Sequence, residues 1–340
     1  MKVLFIQPAC PAYRVAFFTG LAERVDRLGL LHFGTPRFPA ADSPVDEYIG
    51  TLRRIGGFRY IPGLSTYLVG YDLVVVGFDP HWLSSFFLPA VSRRKVVLWS
   101  HGMGSRRWMR PLRDWLFARA AAMVTYHETT RRTLIRQGLV ADKLFAANNT
   151  LEVPNFTDTS DQTGDYFLFV GRLQRRKELH LVIEALARLR ARGIVRHLRV
   201  VGDGEEEAHH LRAVAARSGV SDLVSFQPGT TDADVLYAHF ARALAYVSPG
   251  HVGLGVLHSF AYGVPVVTLR RRAHAPEYLN IRPRENGLLL ADDELDAGLA
   301  LPETAYRRMG AQAYVDYTTG ARMAHMVSSF ARALAFAHTS

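Results

Sequence analysis

"FVGRLQRRKELHLVIEALARL", Phe169–Leu189, runs from a buried strand through a basic turn into an amphipathic helix. Apolar positions recur at helical spacing from Leu179 onward, and Arg172, Arg175, Arg176 and Lys177 fill the turn before it. Where strands and helices alternate, ligands sit outside the carboxyl ends of the strands, and this turn is such an end. A helix N-terminus already carries positive partial charge, so cations gathered there cost stability unless an anion is shared between them. Backbone N–H groups, a guanidinium and an ammonium together suit a diphosphate. Taken alone, the same arginines also fit a turn that reaches into water. No Gly-Lys-Ser/Thr follows, which excludes a Walker loop, and no Gly-x-Gly-x-x-Gly follows any strand.

Outward from this turn, the alternation extends in both directions. Short buried strands are predicted at 166–170, 198–201, 223–226, 244–247, 264–269 and 287–290, with a helix over 178–192. An earlier run predicts strands at 2–7, 73–77, 95–99 and 123–126, with helices over 15–27, 82–91 and 109–120. The polar stretch "FTDTSDQTGD", Phe156–Asp165, separates the runs and reads as a linker. The expectation is an α/β protein of two doubly wound domains, 1–157 and 158–321, which suits a 340-residue chain.

Composition narrows the class. Hydrophobic residues make up 49% and charged residues 21%, as in a globular protein rather than a disordered one. No apolar run approaches the ~20 residues of a membrane span, and Met1-Lys2-Val3 leads straight into a strand. A cytoplasmic chain without a cleaved signal peptide is therefore expected. The single Cys10 excludes an internal disulfide and a cysteine-built metal site. The net charge is +10, and residues 1–157 hold 20 Lys and Arg against 11 Asp and Glu. An anionic partner should meet that half. Nucleic acid is the weaker candidate, because no recognised binding module is present; a phospholipid surface or a lipid-linked phosphate is the other.

"SPGHVGLGVLHSFAYGVPVV", Ser248–Val267, supplies a second anion-facing element. Gly253 and Gly255 let backbone amides approach a ligand, and a short helix over 256–262 is predicted to follow. In order, "GRLQRRK", "VVGDGEEE", "SPG…GVPVV", "APEYL" and "NGLLL" resemble the donor domain of retaining glycosyltransferase family 4, from Tyr166 to about Leu290. "PAYRVAFFTGLAER", "LWSHG" and "AANNTLE" are weaker echoes of the acceptor domain in bacterial members that build surface polysaccharides.

The resemblance implies the GT-B fold, two Rossmann-like domains facing across a cleft, with a last helix over 322–337 completing the first domain. It implies donor binding by Gly171, Arg172, Lys177, Gly253, Leu254, His258 and Glu277. Arg172, Lys177 and His101 would carry catalysis, and Tyr13 and Arg14 would touch the acceptor. A nucleotide-diphosphate sugar would be the co-substrate, with no cofactor and no metal. A glycan or polyprenyl-diphosphate-linked saccharide would be the acceptor, at the inner face of a bacterial membrane. Developing charge on the leaving nucleotide is what fixed cations stabilise best.

One departure matters. The family's two glutamates, separated by seven intervening residues, are replaced here by Gly250 and His258. Gly250 makes no side-chain bond, and His258 cannot grip a diol as a carboxylate does. Either the site is tuned to another donor, with Gly250 making room and His251 or His258 substituting, or the protein binds without catalysing. A nucleotide-sugar 2-epimerase of the same fold is a further alternative.

Three other features have simpler readings. Asp232-Ala233-Asp234 reads as a capped helix start rather than a metal site, and His209-His210 as a solvated helix face. "SRRWMRPLRDWLFARA", Ser105–Ala120, places Arg106, Arg110 and Arg113 on one helical side and Trp108, Leu112, Trp115 and Leu116 nearer the other. That pattern fits a helix lying on an anionic membrane, or one packed on its own sheet.

Overall fold

The computed structural model describes residues 1–38, 43–102 and 107–340. The chain forms two compact units, Met1–Glu152 with Arg322–Ser340, and Val153–Ala321.

The first unit is built on a seven-stranded parallel sheet. Its strands are β1 (Lys2–Ile6), β2 (Arg27–His32), β3 (Asp46–Ile49), β6 (Leu73–Gly77), β7 (Lys95–Ser100), β8 (Ala122–Thr125) and β9 (Leu144–Ala146). A separate antiparallel hairpin pairs β4 (Arg53–Ile55) with β5 (Phe58–Tyr60). The sheet order is β3-β2-β1-β6-β7-β8-β9, so the winding reverses between β1 and β6. Continuous apolar runs such as Leu73–Val76 are wholly buried, as parallel strands covered on both faces require.

Alternate side chains of β1 feed two cores. Val3 and Phe5 join Phe17, Trp99 and Phe330, while Leu4 and Ile6 join Tyr71, Val74 and Phe117. The C-terminal helix Met323–Thr339 belongs to the first core. Phe330 stands 4.9 Å from Phe17 and 4.8 Å from Trp99, ring centre to ring centre.

In the second unit, β10 (Tyr166–Val170), β11 (Leu198–Val201), β12 (Val224–Gln227), β13 (Ala243–Val247), β14 (Val266–Leu269) and β15 (Gly287–Leu290) form a parallel sheet. The order β12-β11-β10-β13-β14-β15 places the reversal between β10 and β13. Ligands of such sheets sit at that point, outside the carboxyl ends.

Several elements differ from expectation. The helix over 15–27 stops at Ala22, and its predicted last residue, Arg27, instead opens β2, whose apolar run is interrupted by Gly29 and so lacks a plain strand signature. The polar stretch 156–165 is no free linker. It is folded into the second unit, where Thr159 Oγ1 donates to the Tyr262 carbonyl at 2.6 Å and the Asp165 amide to the Arg242 carbonyl at 2.9 Å. Asp232 does cap the helix Ala233–Phe240, accepting from the Asp234 and Val235 amides.

Candidate functional site

At the reversal point of the second sheet, the loops after β10 and β13 are stitched together by backbone. The Gly250 amide donates to the Lys177 carbonyl at 2.9 Å and the His251 amide to the Arg176 carbonyl at 2.7 Å. Lys177 Nζ donates to the His251 carbonyl at 2.8 Å, and Ser248 Oγ donates to the same oxygen at 3.2 Å. An ammonium has three donors, so this bond fixes Lys177 and leaves two for a ligand. From below, the "VVGDG" turn holds the first loop, with the Leu173 amide donating to the Asp203 carbonyl at 2.8 Å. A Cβ on Gly202 would lie 1.9 Å from the Gly171 carbonyl oxygen, so only glycine permits that approach.

The glycine at 250 has a structural cause as well. A Cβ there would lie 2.0 Å from the Arg176 carbonyl oxygen. The expectation that Gly250 makes room for a different donor is thereby corrected, since backbone of the neighbouring loop occupies the space.

Electrostatics make this loop pair unusual. Among the described residues, no carboxylate lies within ion-pair distance of Arg172, Arg175, Arg176 or Lys177. The adjacent acid, Glu178, is turned to Arg272 at 2.6 Å, and Arg272 also reaches Asp292. Expected as the first helical residue, Glu178 instead adopts φ 54° and ψ 36° and precedes the helix Leu179–Ala191. Burial, reinforced by Arg176 and Arg172, pulls the Lys177 ammonium down to about 8.

Gly253, Leu254 and Glu277 join this centre. Glu277, in the turn Pro276–Asn280, is buried, and the Ala275 amide donates to the Val252 carbonyl at 3.0 Å. Glu277 Oε2 and His251 Cε1 lie 3.9 and 3.8 Å from the point where a Gly253 Cβ would stand. His274 supports the loop, accepting the Val252 amide at Nδ1 (3.2 Å) and donating from Nε2 to the Leu269 carbonyl (2.7 Å). The helix after the glycines spans only Gly255–Phe260, so loop amides rather than a long helix dipole face any anion here.

His258, on that helix, has aromatic neighbours: its ring lies 4.9 Å from Phe240 and 5.8 Å from Tyr262. Desolvation pushes it down to about 4, so it is neutral at pH 7. His251 was expected only as one of two possible substitutes for the missing acid, and His274 was not singled out. The paired glycine spacing of 248–255 pointed to the loop, but nothing in the sequence said which imidazole it holds.

His101, Tyr13 and Arg14 lie in the first unit. A cavity of about 520 Å³ opens at the carboxyl ends of its strands, lined by Gln7, Asp79, His81, Trp99, His101 and Tyr126 among others. The His101 ring stacks on Tyr126 at 4.0 Å, and burial with the nearby Arg14 lowers its pKa. Arg14 is buried, its guanidinium 4.5 Å above Trp99 and bonded to Met326 Sδ at 3.7 Å, while Tyr13 is exposed.

On the helix Arg110–Arg119 neither expected face holds together, and Arg110 is exposed while Arg113 is not. Arg113, Leu116 and Phe117 are buried, whereas Trp108 is 74% and Trp115 44% exposed. Arg119 lies 3.9 Å over the Trp115 ring, and Arg110 pairs with Asp114 at 3.5 Å. Ser105 and Arg106 lie outside the described residues.

With this geometry in place, likeness to known proteins becomes informative. Residues 164–301 carry a domain matching the family model "Glycosyl transferases group 1". A D-inositol 3-phosphate glycosyltransferase of Frankia alni is 40% identical over 119 residues, 32% of this chain and 29% of that protein. The lipopolysaccharide core biosynthesis glycosyltransferase LpsE of Rhizobium meliloti is 37% identical over 123 residues, 36% of this chain and 33% of that protein. These matches span about a third of the relatives' length. Over almost the whole chain, the crystal structure of HepE from Anabaena in complex with UDP-glucose gives a TM-score of 0.70 at 17% identity, covering 98% of this chain and 99% of that one. The fold is thus of the GT-B type, two doubly wound α/β domains with seven- and six-stranded parallel sheets.

Because a Cβ at position 250 meets backbone, Gly250→Ala should lower the unfolding free energy of the second unit by about 1–3 kcal/mol. Chemical denaturation followed by circular dichroism measures this. An unchanged midpoint would contradict the close packing of the two loops.

Proposed function

We propose that the chain is a glycosyltransferase that moves a sugar from a nucleotide-diphosphate sugar to a hydroxyl of a glycan or lipid-linked saccharide, with retention at the anomeric carbon. The observation that carries this reading is the set of cations at the reversal point of the second sheet, with Lys177 partly desolvated and, among the described residues, no carboxylate within ion-pair distance of them. Arg172 and Lys177 bind the diphosphate, and the loop amides at Gly253 and Leu254 add dipoles from the other side. In the reaction the bond from the anomeric carbon to the phosphate oxygen breaks, and the acceptor oxygen bonds to that carbon. The acceptor proton passes to an oxygen of the departing diphosphate. Charge grows on that leaving group, and cations already in place stabilise it without reorganising. In this role they leave no charge for a metal to neutralise.

Support for the substrate class comes from the relatives' names, which include lipopolysaccharide core biosynthesis, and from the UDP-glucose bound to HepE. The acceptor is assigned to the cavity of the first unit, where neutral His101 borders the space. Among the described residues no helix is long and apolar enough to cross a membrane. The exposed Trp108 and Trp115 with Arg119 would instead dock that unit on an anionic lipid surface, as tryptophans and cations do at the interface.

Lys177 gives a pH test with a definite sign. An anionic ligand favours the ammonium and raises its pKa, so binding takes up protons near pH 8. Affinity for the donor should then fall as pH rises above 8, approaching about tenfold per unit. Calorimetry on a panel of nucleotide sugars in buffers of different ionisation enthalpy reads both quantities. Lys177→Met should abolish the proton uptake, and Arg172→Ala should weaken binding while shifting the transition upward. Binding that ignores pH between 7 and 9.5 would contradict the assignment of Lys177.

For the lipid surface, the protein should float with vesicles containing anionic phospholipid at moderate salt, and the Trp108→Ala/Trp115→Ala pair should lose this. Absence of flotation by the unaltered protein would end the membrane reading.

A further inference from the structure

The geometry points to His251 as a specificity-determining residue whose imidazole hydrogen-bonds a hydroxyl of the donor's sugar. This deepens the reading given above and rests on it.

Three observations place the ring. Its backbone is pinned, since the amide donates to the Arg176 carbonyl and the carbonyl accepts from both Lys177 Nζ and Ser248 Oγ. Both lone pairs of that carbonyl are used, so the residue is held in place by its main chain and its side chain is left over. In the ring, Nδ1 is buried and makes no hydrogen bond of normal geometry. A buried ring nitrogen left unpaired costs free energy, and such groups ask for a partner. Finally, the ring and the Glu277 carboxylate converge. His251 Cε1 and Glu277 Oε2 each lie within 4 Å of one point above Gly253.

The charges on either side identify what belongs at that point. Lys177 and Arg172 mark the diphosphate. A carboxylate repels phosphate oxygens but accepts from hydroxyls, so Glu277 marks a polyol rather than a second anion. His251 stands between, bonded through its carbonyl to the phosphate-side Lys177 and sharing the space over Gly253 with Glu277. Burial and the flanking Arg176 and Lys177 lower its pKa, which keeps the imidazole neutral at pH 7. A neutral imidazole offers one donor and one acceptor, and a hydroxyl takes either. His258 does not share this position, because its ring packs against Phe240 and Tyr262.

The test compares matched ligands. A panel of nucleotide sugars with UDP, GDP, ADP and dTDP, and the corresponding free nucleoside diphosphates, is titrated into the unaltered protein, His251→Ala and His251→Asn. The expected result is a loss of about tenfold or more in affinity for the nucleotide sugar in His251→Ala, the size of one lost hydrogen bond to a buried polar group. Affinity for the matched nucleoside diphosphate should stay within about twofold, and His251→Asn should recover part of the sugar affinity. An equal loss for both ligands, or none for either, overturns the role of His251. An unaltered protein that binds neither class overturns the donor-site reading itself, and the inference with it. Thermal unfolding of each variant separates these outcomes from a misfolded loop.

Discussion

The candidate site depends on a conflict of charge that the fold maintains rather than relieves. Lys177 is drawn into partial burial beside Arg172 and Arg176, and the nearest acid in sequence, Glu178, is engaged by Arg272. Left alone, such a cluster destabilises the second unit, because like charges repel and a desolvated ammonium is costly. What holds it is main chain. Two amides of the loop after β13 bind the carbonyls of residues 176 and 177, and the Lys177 ammonium bonds back to that loop. A rule of local consistency is broken at one place, which is where functional sites are found.

The rest of the second unit is arranged around that stitch. Parallel strands β10 and β13 are neighbours at the reversal of the sheet, so their following loops emerge side by side. Glycines at 202 and 250 remove the Cβ atoms that would hold the backbones apart. Burial of Glu277 next to Gly253 then gives the cationic end of the site an acidic counterpart suited to hydroxyls. The first unit differs: a cavity lined by Trp99, Tyr126 and Phe78 among others opens at its reversal point, and Arg14 is buried against Trp99.

Much of the fold was legible because its signals are strong. Buried runs such as 73–77 and 166–170 are continuous and bounded, and they form strands with those limits. Weaker ones were missed for identifiable reasons. In β2, Gly29 breaks the apolar run, and β9 has only three residues. The basic turn after β10 was readable as a cluster of cations at a strand's carboxyl end, but not its backbone tie to the loop after β13. The amphipathic helix 110–119 was readable as amphipathic but not as to which side faces out, because Arg113 turns inward and the two tryptophans do not. Gly250 was the hardest. A glycine in place of an acid reads as open space, and only the approach of the Arg176 carbonyl shows the space to be filled. His251 was legible only as one of two substitutes for the missing acid, because what distinguishes it from His258 is where its backbone is tied.

The most direct measurement is a crystal structure of the chain soaked with a nucleotide-diphosphate sugar. The account predicts diphosphate oxygens within hydrogen-bonding distance of the Arg172 guanidinium and Lys177 Nζ, with the sugar over Gly253 between His251 and Glu277. A pocket that stays empty at saturating ligand, or a diphosphate bound away from those two cations, would contradict it.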